Sequence, residues 1–134
     1  MSWTIRSATP TLAVPDLELG VEVYRRLGFV ERWRFPGQAA THVGLGRGEC
    51  ELILCACEPA ERAEVLFRVD DVDACHREVL AGRVWELAAQ VAGPATAPRR
   101  ALAPPPVPEA KPWGRREFSV VDPWGHLLSF GQEG

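Results

Sequence analysis

The sequence predicts an α+β fold of two βαβββ modules, whose curled mixed sheets surround a concave cleft. Three observations carry this reading. LAVPDL at residues 12–17 returns as FRVDDV at residues 67–72, an internal repeat with a spacing of 55 residues. In each copy an apolar, strand-like run leads into a helix opened by aspartate, whose short carboxylate caps a helix N-terminus. Each copy then ends in short segments punctuated by glycine and proline, the pattern of antiparallel strands. The 134 residues are one domain's worth, with the modules covering about residues 1–60 and 61–134.

In the first module Thr9–Val14 (TPTLAV) reads as a strand, and Pro15-Asp16 opens a helix. Leu19, Val23, Tyr24 and Leu27 recur at helical spacing over Leu17–Leu27, and Gly28 stops the helix. Phe29–Phe35 (FVERWRF) alternates apolar and charged residues, as a half-buried strand does. Pro36-Gly37 marks a turn. His42–Leu45 and Cys50–Cys57 read as a strand pair joined through Gly46-Arg47-Gly48.

In the second module Glu64–Val69 is a strand, Asp70-Asp71 a helix start and Val72–Leu80 the helix. Arg116–Val121 and His126–Phe130 are strands joined by the Asp122-Pro123-Trp124-Gly125 turn. LLSFG at 127–131 stands in the second copy where CELIL at 50–54 stands in the first. The second copy is longer by an insertion at about 83–111. Its WELAAQV extends the second helix, with Trp85 anchoring it to the body. Its GPATAPRRALAPPPVPEAKP is a long surface loop, because proline excludes helix interior and central strand. It is either a tolerated insertion or a lid or partner-contacting arm.

Composition narrows the function classes. Hydrophobic residues at 46% and charged residues at 25% are ordinary for a globular chain. No apolar run approaches the roughly 20 residues that span a bilayer, and MSWTIRSATP has no apolar leader core. The reading is a cytoplasmic protein without membrane partners. A net charge of −3 argues against nucleic acid, which requires a concentrated positive field. It is compatible with a cationic ligand.

Cys50, Cys55, Cys57 and Cys75 form no C-x-x-C pair and read as small hydrophobes in a reducing compartment. Cys55 and Cys57 flank Ala56, so their side chains share a face. His76 falls on the polar side of its helix and reads as solvated. His126 follows the second-module turn. No serine, cysteine or lysine has a recognisable activating partner, so nucleophilic catalysis has no candidate constellation. Trp33 and Phe35 share parity on one strand and face one side. Arg116 and Phe118 share a face, and Glu117 takes the other.

TPTLAVPDLELGVEVYRRLGFVERWRF, AEVLFRVDDVDACHREVLAG and above all PWGRREFSVVDPWGHLLSFGQE resemble the glyoxalase/bleomycin resistance protein/dioxygenase (vicinal oxygen chelate) superfamily, and within it the bleomycin-resistance branch. The resemblance covers almost all of the chain outside the insertion. It implies a glyoxalase/bleomycin-resistance-like fold and a homodimer with two equivalent grooves. It also implies exchange of an N-terminal strand between subunits, which Pro10 and Pro15 would stiffen. The superfamily's metal-ligand positions fall on Thr9, Glu51, Glu64 and Ser129. Two carboxylates without imidazole make a poor zinc, iron or nickel site, so no cofactor is expected; Glu51 and Glu64 are the weak candidates.

What the resemblance implies for function is a non-catalytic binder. Trp33 and Phe35 stand where the branch stacks aromatics on a drug's flat rings, and Trp113 matches its ligand-contacting tryptophan. His42, alternating with Gly44 in its strand, either lines the cavity or is a plain sheet histidine, and Arg116 of the REF run either contacts the ligand or joins an ion pair between neighbouring strands. The protein would sequester a bleomycin-like or other planar cationic antibiotic and so confer resistance. The alternatives are a metal-dependent lyase, isomerase or dioxygenase using an atypical ligand set that includes Glu51, and a binding protein of natural-product metabolism.

Overall fold

A computed structural model of the chain describes residues 2–58, 61–91 and 97–134. The first module comprises β1 (Thr11–Val14), α1 (Leu17–Arg26), β2 (Val30–Phe35), β3 (His42–Arg47) and β4 (Cys50–Ala56). The second comprises β5 (Glu64–Arg68), α2 (Val72–Gly82), α3 (Val84–Val91), β6 (Glu109–Ala110), β7 (Arg115–Val121) and β8 (Leu127–Glu133). The sheets are ordered β1-β4-β3-β2 and β5-β8-β7-β6, the same topology twice. In each, the first strand runs parallel to the last and the others pair antiparallel. This is the α+β architecture of two four-stranded mixed sheets that the repeat predicts.

Local chemistry sets the elements. Asp16 and Asp71 cap the two helices, accepting from the N–H groups of Leu19 and Ala74 at 3.1 and 3.0 Å. The chain leaves α1 through Gly28 at φ +105°, a conformation that glycine adopts without a Cβ penalty. Leu12, Val14, Val43, Leu45, Leu52 and Leu54 alternate along β1, β3 and β4 and are buried on one face. In the second sheet Phe67, Phe130 and Phe118 are register neighbours, with ring centroids 5.4 and 5.2 Å apart. Phe29 continues this aromatic row from the first module, 5.4 Å from Phe67. The helix-bearing faces of both sheets thus share one core, and the opposite faces remain open.

A buried polar cluster fastens the modules together. The Tyr24 hydroxyl on α1 donates to Asp122 Oδ2 at 2.7 Å, across 98 residues of sequence. Asp122 Oδ1 accepts the N–H groups of Trp124 and His126, each at 2.9 Å, which shapes the β7–β8 turn. His126 Nδ1 accepts from Ala63 N–H at 2.9 Å, so its other nitrogen, Nε2, donates to the Ala13 carbonyl of β1 at 2.7 Å. The DPWGH segment is therefore the joint between the modules.

The insertion differs from the expected loop. Arg83 adopts the left-handed conformation at φ 51° and breaks the helix, so WELAAQV belongs to a separate helix, α3, rather than extending α2. Arg99–Leu102 forms a single 3₁₀ turn, and Ala88, Ala101 and Val121 make a small second core. His76, expected in solvent, is buried edge-on against Phe118 at 4.9 Å, with Nε2 3.3 Å from the Pro105 carbonyl. Phe118 of β7 and the proline-rich segment at Pro105 cover it. Trp124 is half-buried against the main core. Part of the proline-rich stretch, residues 92–96, lies outside the described residues.

Asp122→Ala leaves the Tyr24 hydroxyl and two backbone N–H groups without their acceptor. It should cost about 2–4 kcal/mol in urea unfolding, and Asp122→Asn, which retains an acceptor oxygen, clearly less. Burial, opposed by the hydrogen bonds, pushes the Asp122 carboxyl above its ordinary 3.8. The native state then holds this proton more tightly than the unfolded chain. Between 3.8 and the raised value the Asp122 contribution to stability falls as pH rises. Subtracting the Asp122→Asn stability profile from that of the wild type should reveal this slope.

Candidate ligand-binding site

Register decides which side chains share the open face of the first sheet. Trp33 pairs with Gly44 and Phe35 with His42, while Gly44 pairs with Ile53 and His42 with Cys55. Arg34, between the two aromatics, pairs with Val43 of the core face and binds Glu18 on α1 and Glu31. A bulge between Glu31 and Trp33 brings Glu31 to that same side. Trp33, Phe35 and His42 therefore come together on one face, as parity predicts.

Trp33 is held by a specific contact. Its indole Nε1 donates to Glu51 Oε1 at 2.7 Å, from β2 across β3 to β4. The ring passes directly over Gly44, where a Cβ would lie 2.0 Å from Nε1. Only glycine on β3 allows the indole to lie across the sheet. Trp33 remains 37% exposed and Phe35 65%. His42 is half-buried beside Phe35, its Nδ1 2.9 Å from Thr41 Oγ1.

The second sheet repeats the device with different residues. Trp113, 59% exposed ahead of β7, donates from Nε1 to Glu117 Oε1 at 2.8 Å. Arg115 Nε reaches the same oxygen at 2.8 Å. Glu117 is only 8% exposed, and the Trp113 hydrogen bond, together with Arg115, holds its carboxyl below the usual glutamate range. Leu66, Ser119 and Ser129 share this open face by register. Arg116 does not join it: it lies on the Phe118 side and pairs with Asp73 of α2 at 2.9 Å.

Each open face therefore presents an indole whose edge is tied to a carboxylate. The hydrogen bond fixes the ring plane before any ligand arrives and sets negative charge at the ring's edge. A flat aromatic guest gains roughly 0.5–1.5 kcal/mol from stacking beyond the area it buries. A cation over such a face gains about 0.5–2 kcal/mol. The sequence places the tryptophans but not their partners: Glu51 falls on a superfamily metal position, and Glu117 is read only as facing away from Arg116 and Phe118. Glycine at Gly44, opposite Trp33, is the signal that a bulky ring crosses there.

The superfamily's metal does not fit this donor set. Glu51 is engaged with Trp33, and Glu64 is exposed on the other sheet at the start of β5. Ser129 Oγ pairs with Ser119 Oγ at 2.8 Å, and Thr9 lies in exposed coil before β1. Among the described residues no group of three or more His, Cys, Asp or Glu is placed to hold a metal ion. A cleft of about 840 Å³ opens between the modules, against Leu27, Phe29, Arg47, Asp71, Cys75 and Glu78, and is lined also by Leu66 of the second open face. None of the five expected ligand contacts lines it. No helix among the described residues is long and apolar enough to cross a membrane.

No family model matches the chain, and no curated protein does either. Solved structures match over nearly the full length. A bleomycin resistance determinant encoded on the transposon Tn5 is 25% identical with a TM-score of 0.73, covering 96% of this chain and 98% of its own. A bleomycin-binding protein complexed with bleomycin is 25% identical with a TM-score of 0.71, covering 97% and 100%. The copper(II)-bleomycin complex of the binding protein from Streptomyces verticillus, at 22% identity and a TM-score of 0.68, shares the fold over 99% of both chains. The fold is that of the glyoxalase/bleomycin resistance/dioxygenase (vicinal oxygen chelate) superfamily. Within it, this chain is similar to the bleomycin-resistance proteins.

Gly44→Ala forces the Trp33 ring off the sheet while leaving the core untouched. The variant should fold with stability within about 1 kcal/mol of wild type, since the atom that must move is the end of a side chain. Its tryptophan emission should shift to the red as Trp33 swings into water. An unchanged spectrum would contradict the crossing geometry.

Proposed function

We propose that the protein is a non-catalytic binder that sequesters a planar, cationic antibiotic of the bleomycin type and lowers its free concentration. The observation that carries the reading is the pair of carboxylate-tied indoles, Trp33–Glu51 and Trp113–Glu117, on two open sheet faces. Both are exposed, pre-oriented and edged with negative charge, which suits a flat cation. The likeness to bleomycin-binding proteins at 25% identity supports the same ligand class.

The groove is the work of two chains. Within one chain the helix-bearing faces share the core, and neither open face covers the other. Phe35, Trp113, Val30 and Leu66 are left in solvent. A second copy across a two-fold axis, setting the first sheet of one chain against the second sheet of its partner, brings Trp33 and Phe35 opposite Trp113. The operation yields two equivalent grooves per dimer. His42 then lines the wall beside Phe35. Arg116, paired with Asp73 on the other side of its sheet, takes no part.

Titration of metal-analysed protein with bleomycin, followed by tryptophan fluorescence, tests this reading. Quenching should saturate at one ligand per chain without added metal. Trp33→Ala and Trp113→Ala should each weaken binding more than tenfold, about 1.4 kcal/mol or more. Unaltered affinity in both variants, or no quenching at all, would remove bleomycin and this groove from the account.

A further inference from the structure

The open face of the first sheet carries a second chemistry. Cys55 on β4 and Cys57 just beyond it are two residues apart, so both side chains leave the same face. The strand path extends that far, because Cys57 N–H still bonds the Val14 carbonyl at 3.0 Å. The two sulfurs lie 3.9 Å apart, with the Cys57 thiol donating to Cys55. Neither is in a disulfide; Cys57 is exposed and Cys55 half-buried. His42 stands directly opposite Cys55 in the antiparallel register, at the spacing where cross-strand side chains meet. Thr41 Oγ1 lies 2.9 Å from its Nδ1, so Nε2 is the ring nitrogen that Thr41 does not engage.

The sulfur separation discriminates between two uses of a thiol pair. A disulfide requires about 2.05 Å between sulfurs, so these would have to close by about 1.9 Å from their 3.9 Å. A metal bound to both at about 2.3 Å, the length of a zinc–thiolate bond, fits that 3.9 Å span as it stands, with an S–metal–S angle of about 116°. That angle lies near trigonal. Zinc favours a tetrahedral set of borderline and soft donors, whereas as the side chains stand only the two thiols of Cys55 and Cys57 meet, with no third His, Cys, Asp or Glu among the described residues placed beside them. Cu(I) is satisfied by two or three soft donors and is selected by thiolates.

We propose that Cys55 and Cys57 form a dithiolate site for Cu(I), with His42 joining as a third donor by side-chain rotation. Both S–H protons pass to solvent on binding, two copper–sulfur bonds form, and the metal keeps its oxidation state. The site shares a face with Phe35 and Trp33, yet it does not rest on the antibiotic-binding reading. It is distinct from Glu51 and Glu64, the superfamily-derived metal candidates.

The test is anaerobic titration of the reduced protein with the tetrakis(acetonitrile) complex of Cu(I), in competition with bathocuproine disulfonate. One copper per chain should be retained, with thiolate-to-copper absorption in the ultraviolet. Cys55→Ser or Cys57→Ser should weaken retention at least 100-fold, and His42→Ala about tenfold. In the wild-type chain, copper should protect Cys55 and Cys57 from alkylation, as mapped by mass spectrometry, and leave Cys50 and Cys75 as reactive as before. Copper surrendered to the chelator as readily by the wild type as by the Cys55→Ser/Cys57→Ser double variant would overturn the site. So would protection that falls on Cys50 and Cys75.

Discussion

The hydrogen bond from Tyr24 to Asp122 and its continuation through His126 is the constraint on which the molecule turns. It lies in the buried interior and joins α1 of the first module to the β7–β8 turn of the second. An unpaired carboxylate or hydroxyl there would cost more than the bond contributes, so the network favours the docking in which every partner is met. His126 enforces the docking a second time, with one ring nitrogen on Ala63 and the other on Ala13 of β1. Once this joint is made, the helix-bearing faces must share a core and the open faces must look outward.

Outward-looking faces explain the rest of the surface. A sheet that buries one side and leaves the other to solvent ordinarily turns polar residues outward. Here β2 and the approach to β7 carry Trp33, Phe35 and Trp113 instead. Both indoles are tied at Nε1 to a glutamate. That satisfies the one polar atom of each ring and leaves its faces free. The two modules make this contact with non-equivalent residues: Trp33 reaches across a neighbouring strand to Glu51, whereas Trp113, just ahead of β7, reaches Glu117 on β7.

Much of the fold is legible in the sequence because the repeat is local chemistry. Asp16 and Asp71, the helix stop at Gly28 and the alternating Leu12–Leu54 face each follow from short-range rules. The elements missed are those set by tertiary context. The helix break at Arg83 rests on a left-handed residue that is not glycine, which no propensity marks. His76 is buried because the proline-rich segment folds back over α2, a contact across 29 residues. At the candidate site, parity brings Trp33, Phe35 and His42 together. It also puts Arg116 on the Phe118 side, away from them, and the resemblance alone enlisted it for the ligand. The indole–carboxylate pairs were not legible, since they depend on register between strands.

The proposal that ligand meets the open sheet faces rather than the cleft between the modules can be tested at the level of single segments. Amide hydrogen exchange with and without saturating bleomycin tests it most directly. New protection is expected along β2, β3 and the Trp113–Glu117 segment, with no change at Arg47, Asp71 or Glu78. Protection confined to the cleft residues, with β2 and β7 exchanging as before, would contradict it.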